Sequence, residues 1–103
     1  MLNNKILSLL SICMKAGKVK SGEFATSDAV KSYKAFAVIV AGDASDNTKK
    51  QFRNMCEFYE VPYYEYSTKE ELGRALGKEM RSSIAVCDEG LANSLIKQLD
   101  NLE

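Results

Sequence analysis

From Val61 to Asp88 the chain reads VPYYEYSTKEELGRALGKEMRSSIAVCD, and few folds can hold those signals in that order. Pro62 can only precede or start a strand, and Tyr63, Tyr64 and Tyr66 are residues that strands favour. Thr68-Lys69-Glu70-Glu71 then reads as a capping box, in which the Thr68 hydroxyl accepts the Glu71 amide and Glu71 reaches back to the Thr68 amide. Leu72, Ala75 and Leu76 form the inner face of the helix that follows, and Gly77 ends it. Lys78-Glu79-Met80-Arg81-Ser82 is an exposed loop with two cations around one methionine, a composition suited to a polyanion-binding tip. Ile84-Ala85-Val86-Cys87 is apolar without alternation, as in a central strand covered on both faces.

The rest of the chain repeats this alternation. Asn3 or Asn4 can cap a first helix with Ile6, Leu7, Leu10 and Met14 at helical spacing. Leu9, Ile12 and Cys13 widen the stripe, so burial over most of that helix's circumference is expected. Ala16-Gly17 stops it. Lys18 to Ser21 alternates like a short strand, and Gly22 marks the next turn. Glu23 to Lys34 suits a second helix with Phe24, Ser27 or Asp28, and Lys31 on its outer side. Phe36 to Ala41 is the strongest strand, expected to be buried on both faces. Gly42-Asp43-Ala44-Ser45 makes the turn into a third helix, capped by Ser45 or Asp46 and running to about Tyr59, with Phe52, Met55, Cys56 and Tyr59 inward. Leu91 to Leu102 forms the last helix on Leu91, Leu95, Ile96 and Leu99. The order α-β-α-β-α-β-α-β-α predicts an α/β fold with helices on both faces of a sheet and ligands at the strand ends.

At 103 residues the chain is expected to form one domain. No apolar run approaches the roughly 20 residues that span a bilayer, and the N-terminal stretch reads as an amphipathic helix rather than a signal peptide. Cys13, Cys56 and Cys87 are too few and too far apart for a disulfide framework or zinc site, so the cytoplasm is the expected location. There is no histidine, which excludes Ser-His and Cys-His catalysis and histidine-held metals. Net charge is zero but unevenly spread. Residues 1–34 hold six lysines against Glu23 and Asp28, a local balance of +4 that the remainder offsets with −4. Such asymmetry is compatible with one cationic face.

No reaction class emerges. Gly73-Arg74-Ala75-Leu76-Gly77-Lys78 is one residue short of a phosphate-binding loop, lacks the following Ser or Thr, and puts its glycines in a helix. Asp43 follows a buried strand, where α/β enzymes often hold an acid, but it has no partner and reads first as a turn residue. The cysteines fall on apolar faces, and the tyrosine cluster reads as strand packing before base stacking. No cofactor, metal or small-molecule substrate is expected.

Ala16-Gly17-Lys18 with Ser21-Gly22-Glu23, Ala41-Gly42-Asp43-Ala44-Ser45, Val61-Pro62-Tyr63, Lys69-Glu70-Glu71-Leu72-Gly73, and Gly77-Lys78 through Arg81-Ser82 carry a resemblance that spans essentially the whole chain. The chain resembles the ribosomal-protein-type kink-turn RNA-binding superfamily, that of the archaeal large-subunit proteins L-seven-Ae and L-thirty-e, and within it the YlxQ-like bacterial branch. The resemblance implies a three-layer α/β/α sandwich around a four-stranded mixed sheet, and a non-enzymatic, RNA-binding accessory role in translation. It also implies that RNA is gripped on one edge, by the turn and helix start at Gly22 and by the loop Met80-Arg81-Ser82. Where the superfamily has Asn-Glu this chain has Phe24-Ala25, and the helix lysine falls at Asp28. Glu23 is retained.

Two readings follow. In one, the domain binds structured RNA, ribosomal or otherwise kinked, with Lys15, Lys18, Lys20, Lys31, Lys78 and Arg81 on phosphates and Phe24 or Met80 stacking, around Gly22, Glu23, Asp43 and Ser82. In the other, Phe24, Ala25 and Met80 form an apolar patch for a protein partner in the ribosome or the transcription–translation apparatus. Phe24 itself reads equally as a stacking platform and as a core residue. Lys18, Lys20 and Arg81 are expected to line one edge.

Overall fold

The computed structural model describes residues 4–102. In chain order the elements are α1 (Lys5–Lys15), β1 (Val19–Ser21), α2 (Glu23–Lys31), β2 (Ala37–Val40), α3 (Asp46–Tyr59), β3 (Tyr63–Glu65), α4 (Lys69–Ala75), β4 (Ser83–Val86) and α5 (Glu89–Asp100). The alternation expected from sequence is thus the alternation observed. The strands form one mixed sheet in the order β1-β4-β2-β3. β4 runs antiparallel to both β1 and β2, whereas β2 and β3 are parallel and joined through α3. Every residue of the two central strands is buried. The apolar runs read from sequence overreach them, since Phe36 precedes β2 and is exposed, and Cys87 follows β4 and is half-buried.

Side chains show which helices cover which face. Ser83 donates to Thr26 of α2, and the Tyr63 hydroxyl donates to the Lys49 carbonyl of α3. One residue along β3, on the opposite face, Tyr64 donates to Asp100 of α5. Just past the strand, Tyr66 donates to Asn4 at the start of α1. α2 and α3 therefore cover one face, and α1, α4 and α5 the other. This is a three-layer α/β/α sandwich. Phe52, Leu10, Ile39, Leu72, Ile84 and Leu95 are fully buried between the layers, each contributing about 1.5–3 kcal/mol of transfer free energy.

Helix starts follow the expected chemistry. Asn4, Ser45, Thr68 and Asp88 each accept a backbone amide of the first turn they cap. The alternative cap Asn3 lies outside the described residues. The capping box at Thr68 forms by half, because Glu71 accepts from the Ser67 hydroxyl instead of reaching the Thr68 amide.

Three expectations need correction. α1 is not buried over most of its circumference: Ile12 is 54% exposed, and Leu7, Leu9 and Met14 are half-buried. α2 stops at Lys31, not Lys34, because Tyr33 turns into the left-handed region while the Lys34 and Ala35 amides both fold back onto the Ala29 carbonyl. α5 starts at Glu89, two residues before Leu91, because Asp88 is its cap.

Candidate nucleic-acid interface

β1 ends at Ser21, and Gly22 turns the chain into α2 with φ 95° and ψ 160°, a conformation closed to most side chains. Its amide donates to the Ser83 carbonyl, which ties the turn to the start of β4. No side chain caps α2, so the first amides of that helix have no side-chain acceptor. The loop leading into β4 arrives beside this turn. Ser21, Gly22 and Glu23 on one side and Met80, Arg81, Ser82 and Ser83 on the other enclose a cleft of about 320 Å³, with Thr48 of α3 at its margin. Segments some sixty residues apart in sequence thus share one site.

Arg81 is held in place. Its Nε donates to Ser21 Oγ at 3.1 Å and its Nη1 to the Met80 carbonyl at 3.0 Å, leaving about three of its five donors without a protein partner among the described residues. Beneath the loop, Gly73 of α4 approaches so closely that an added Cβ would collide with the Glu79 backbone. The Lys78 amide donates to the Gly73 carbonyl and the Arg81 amide to that of Lys69, so α4 is the platform on which the loop is built. Two large apolar groups flank the cleft: Phe24 is 85% exposed and Met80 is 60% exposed. Phe24 is therefore not a core residue.

The other residues singled out from sequence spread around this site. Lys20 lies mid-strand on β1, and Lys18 at the far end of that strand, beside Cys87. β1 is an edge strand and Arg81 bonds to it through Ser21, so Lys18, Lys20 and Arg81 share that edge of the sheet. Ser21 alternates with Lys18 and Lys20, however, whose side chains leave the strand on the other face. Lys15 ends α1, Lys31 ends α2 about 12 Å from the start of that helix, and Lys78 starts the loop without lining the cleft. Asp43 does not join the site; its carboxylate accepts the Lys69 amide at 2.8 Å, at the start of α4. Ser21 and Thr48 were not legible as site residues, since nothing local marks a serine that will hold an arginine 60 positions away.

The chemistry elsewhere is structural. Burial pushes the Cys13 and Cys87 thiols up and that of Cys56 up to about 11, so none is primed as a nucleophile. A larger groove of about 620 Å³ between α1 and α4 has a mainly apolar lining, and its arginine, Arg74, is paired with Glu70. Among the described residues no group of His, Cys, Asp or Glu could hold a metal.

With this geometry in hand, the chain can be set beside known proteins. The pattern of the ribosomal protein L7Ae/L30e/S12e/Gadd45 family matches residues 4–96. The chain belongs to that family. Among its L7Ae-type relatives, the RNA-binding protein YlxQ of Bacillus subtilis (strain 168) is 41% identical over 92 residues, covering 89% of this chain and 92% of that protein. The RNA-binding protein YlxQ of Enterococcus faecium is 38% identical over 88 residues, covering 85% and 84%. A protein of unknown function from Bacillus halodurans superposes with a TM-score of 0.93 at 33% identity, covering 96% of this chain and all of that one. The Giardia lamblia 15.5kD RNA binding protein superposes at 0.80 with 23% identity, covering 100% of this chain and 94% of that one, which shows the shared fold. The L7Ae-family fold inferred from sequence is the fold found, and the chain is a non-enzymatic member of that family.

Proposed function

We propose that this protein binds structured RNA across the cleft between the start of α2 and the loop 78–82, and that sharply kinked RNA of the translation machinery is its natural class. One observation carries the reading. Gly22 and Glu23 meet Met80, Arg81 and Ser82 in a single cleft at the edge of the sheet, flanked by an exposed phenylalanine and an exposed methionine. The YlxQ relatives, named as RNA-binding proteins, support it. Cys13, Cys56 and Cys87 are all free thiols, which suits a reducing compartment, and the cytoplasm is the proposed location.

Each part has a physical role. No atom lies within 4 Å of where a Gly22 side chain would stand, so a sugar-phosphate backbone can come close to the chain there. The uncapped amides of α2 then offer donors to a phosphate at the positive end of the helix dipole. Arg81, oriented by Ser21, adds a fixed cation whose planar fork suits phosphate oxygens. Phe24 and Met80 present apolar surface on which an unpaired base at a kink can stack, worth about 1–3 kcal/mol when engaged. Glu23 can accept from an exocyclic amine of a base.

The test is a titration of the full chain into fluorescent kink-turn RNA at ~0.15 M salt, beside a straight duplex of equal length. Submicromolar binding that prefers the kink is expected. Phe24→Ala is expected to lower the affinity about 5- to 100-fold with little change in melting temperature. Equal weak binding to both RNAs, lost as salt is added, would reduce the site to a general polyanion surface. The exposed Phe24 and Met80 also fit a second reading, docking of a protein of the transcription–translation apparatus, which absence of binding to either RNA would favour.

A further inference from the structure

The cleft lies at one end of β1; the opposite end of the same edge has a different set of groups that the cleft does not use. The Cys87 amide donates to the Lys18 carbonyl at 2.8 Å, and the Phe36 amide to that of Val86 at 2.8 Å. Lys18, Cys87 and Phe36 therefore stand side by side across three neighbouring strands, one residue past the paired register. Lys20 is opposite Ala85, two residues along from Lys18 and so on the same face. Lys18, Lys20 and Lys34 all lie close enough to Cys87 to favour its thiolate, although burial outweighs them and raises the thiol overall. All three lysines are exposed, and the ion pairs among the described residues, Lys49–Glu65 and Arg74–Glu70, involve none of them.

Exposed aromatic surface borders this cationic end. Tyr33, next to Lys34, is 75% exposed and Phe36 is 41% exposed. The Tyr33 ring meets Tyr59 edge-on at 5.4 Å, so it is steadied on one side and open on the other. Tyr33 also holds a φ of 61°, a conformation aromatic residues rarely adopt, and it is this turn that points the ring outward instead of continuing α2. Past Tyr59 the surface becomes acidic with Glu57 and Glu60, which leaves the β1 side as the one suited to phosphates.

We propose that this end of the β1 edge holds a single-stranded stretch of the RNA whose folded part occupies the cleft, with Lys18, Lys20 and Lys34 on its phosphates and Tyr33 and Phe36 stacking its bases. The inference rests on the RNA reading of the cleft. Two observations favour a single strand: exposed rings can stack only unpaired bases, and lysines are strung along an edge that leads away from the cleft for roughly 13 Å from Gly22 to Lys18. A protein partner would gain little from three unpaired lysines ranged around a half-buried thiol.

The test compares two probes, a kink-turn RNA without overhangs and the same RNA carrying eight-nucleotide uridine tails, titrated with the full chain at ~0.15 M salt. The tails are expected to tighten binding about tenfold and to steepen the salt dependence by about 0.7 for each lysine engaged. Tyr33→Asn, which tolerates the left-handed backbone, and Lys34→Gln are expected to remove that gain and leave the tail-less RNA bound as before. Tail-less RNA bound with no gain from the tails would overturn this proposal and spare the cleft. A gain that survives both substitutions would overturn it as well. Binding of neither RNA would overturn both readings.

Discussion

At the scale of single residues, Gly73 shows how a site can depend on a side chain that is not there. It is buried within α4, and the Glu79 backbone fills the space a Cβ would need. Gly73→Ala is therefore expected to cost about 1–3 kcal/mol, as overpacking does, and to weaken RNA binding by moving the loop that bears Met80 and Arg81. Gly90 is the control. Its added Cβ would meet only Asp88 Oδ2 at an ordinary 3.5 Å, so Gly90→Ala should be neutral or stabilise by up to about 1 kcal/mol with no effect on RNA. Urea unfolding of the two variants checks the pair, and equal losses would show that the close approach at Gly73 is not what holds the loop. Neither outcome was legible in the sequence, where Gly73 read as a helix residue and Gly90 fell just before the last helix. The same holds for Phe24. Its outward direction follows from how α2 rolls against the sheet, a tertiary fact that spacing within a nine-residue helix does not determine.

At the scale of elements, α4 is the least self-sufficient piece and the one on which the site leans most. It has seven residues, too few to persist alone, and it is held by the Thr68 cap, by Asp43 on the Lys69 amide and by buried Leu72. The loop is hung from it, since the Arg81 amide donates to Lys69 and that of Lys78 to Gly73. Thr68→Ala is expected to cost about 1 kcal/mol and, more tellingly, to speed hydrogen exchange at the Arg81 amide. Ser45→Ala removes a comparable cap from α3 and should leave Arg81 protected. Matched exchange at Arg81 in the two variants would mean that the loop does not depend on α4. Elements were legible here because their signals are local: caps at Asn4, Ser45 and Thr68, and apolar runs at β2 and β4. What escaped was non-local. α2 ends three residues early at a left-handed tyrosine, with no glycine to announce it. Ile12 stays exposed on α1 because α4 and α5 cover only part of that helix.

At the scale of the whole molecule, zero net charge conceals a division that the fold makes spatial. The lysine-rich first third supplies α1, the β1 edge and α2, so two of its six lysines, Lys18 and Lys20, fall along the edge strand that ends at the cleft. That placement makes the departures at Phe24, Ala25 and Asp28 open to a direct experiment. Phe24 and Asp28 are exposed and Ala25 is only half-buried, so all three can be exchanged with small effect on the core. The triple substitution Phe24→Asn, Ala25→Glu, Asp28→Lys installs the residues that the kink-turn superfamily carries at these positions. Asn and Glu would add polar contacts to base edges, each worth about 1–3 kcal/mol by analogy with bidentate base readout. Lys would replace a repelling carboxylate with a phosphate contact, steepening the salt dependence by about one unit. The measurement is affinity for kink-turn RNA against a straight duplex across a salt series, with the melting temperature as control. A gain confined to the kinked RNA would mean that the cleft presents α2 to a kink in the superfamily's geometry, and that Phe24 and Ala25 have redirected the chain's preference. An equal gain on both RNAs, accounted for by the salt slope alone, would assign the effect to charge, and the kink-turn reading of the cleft would fall.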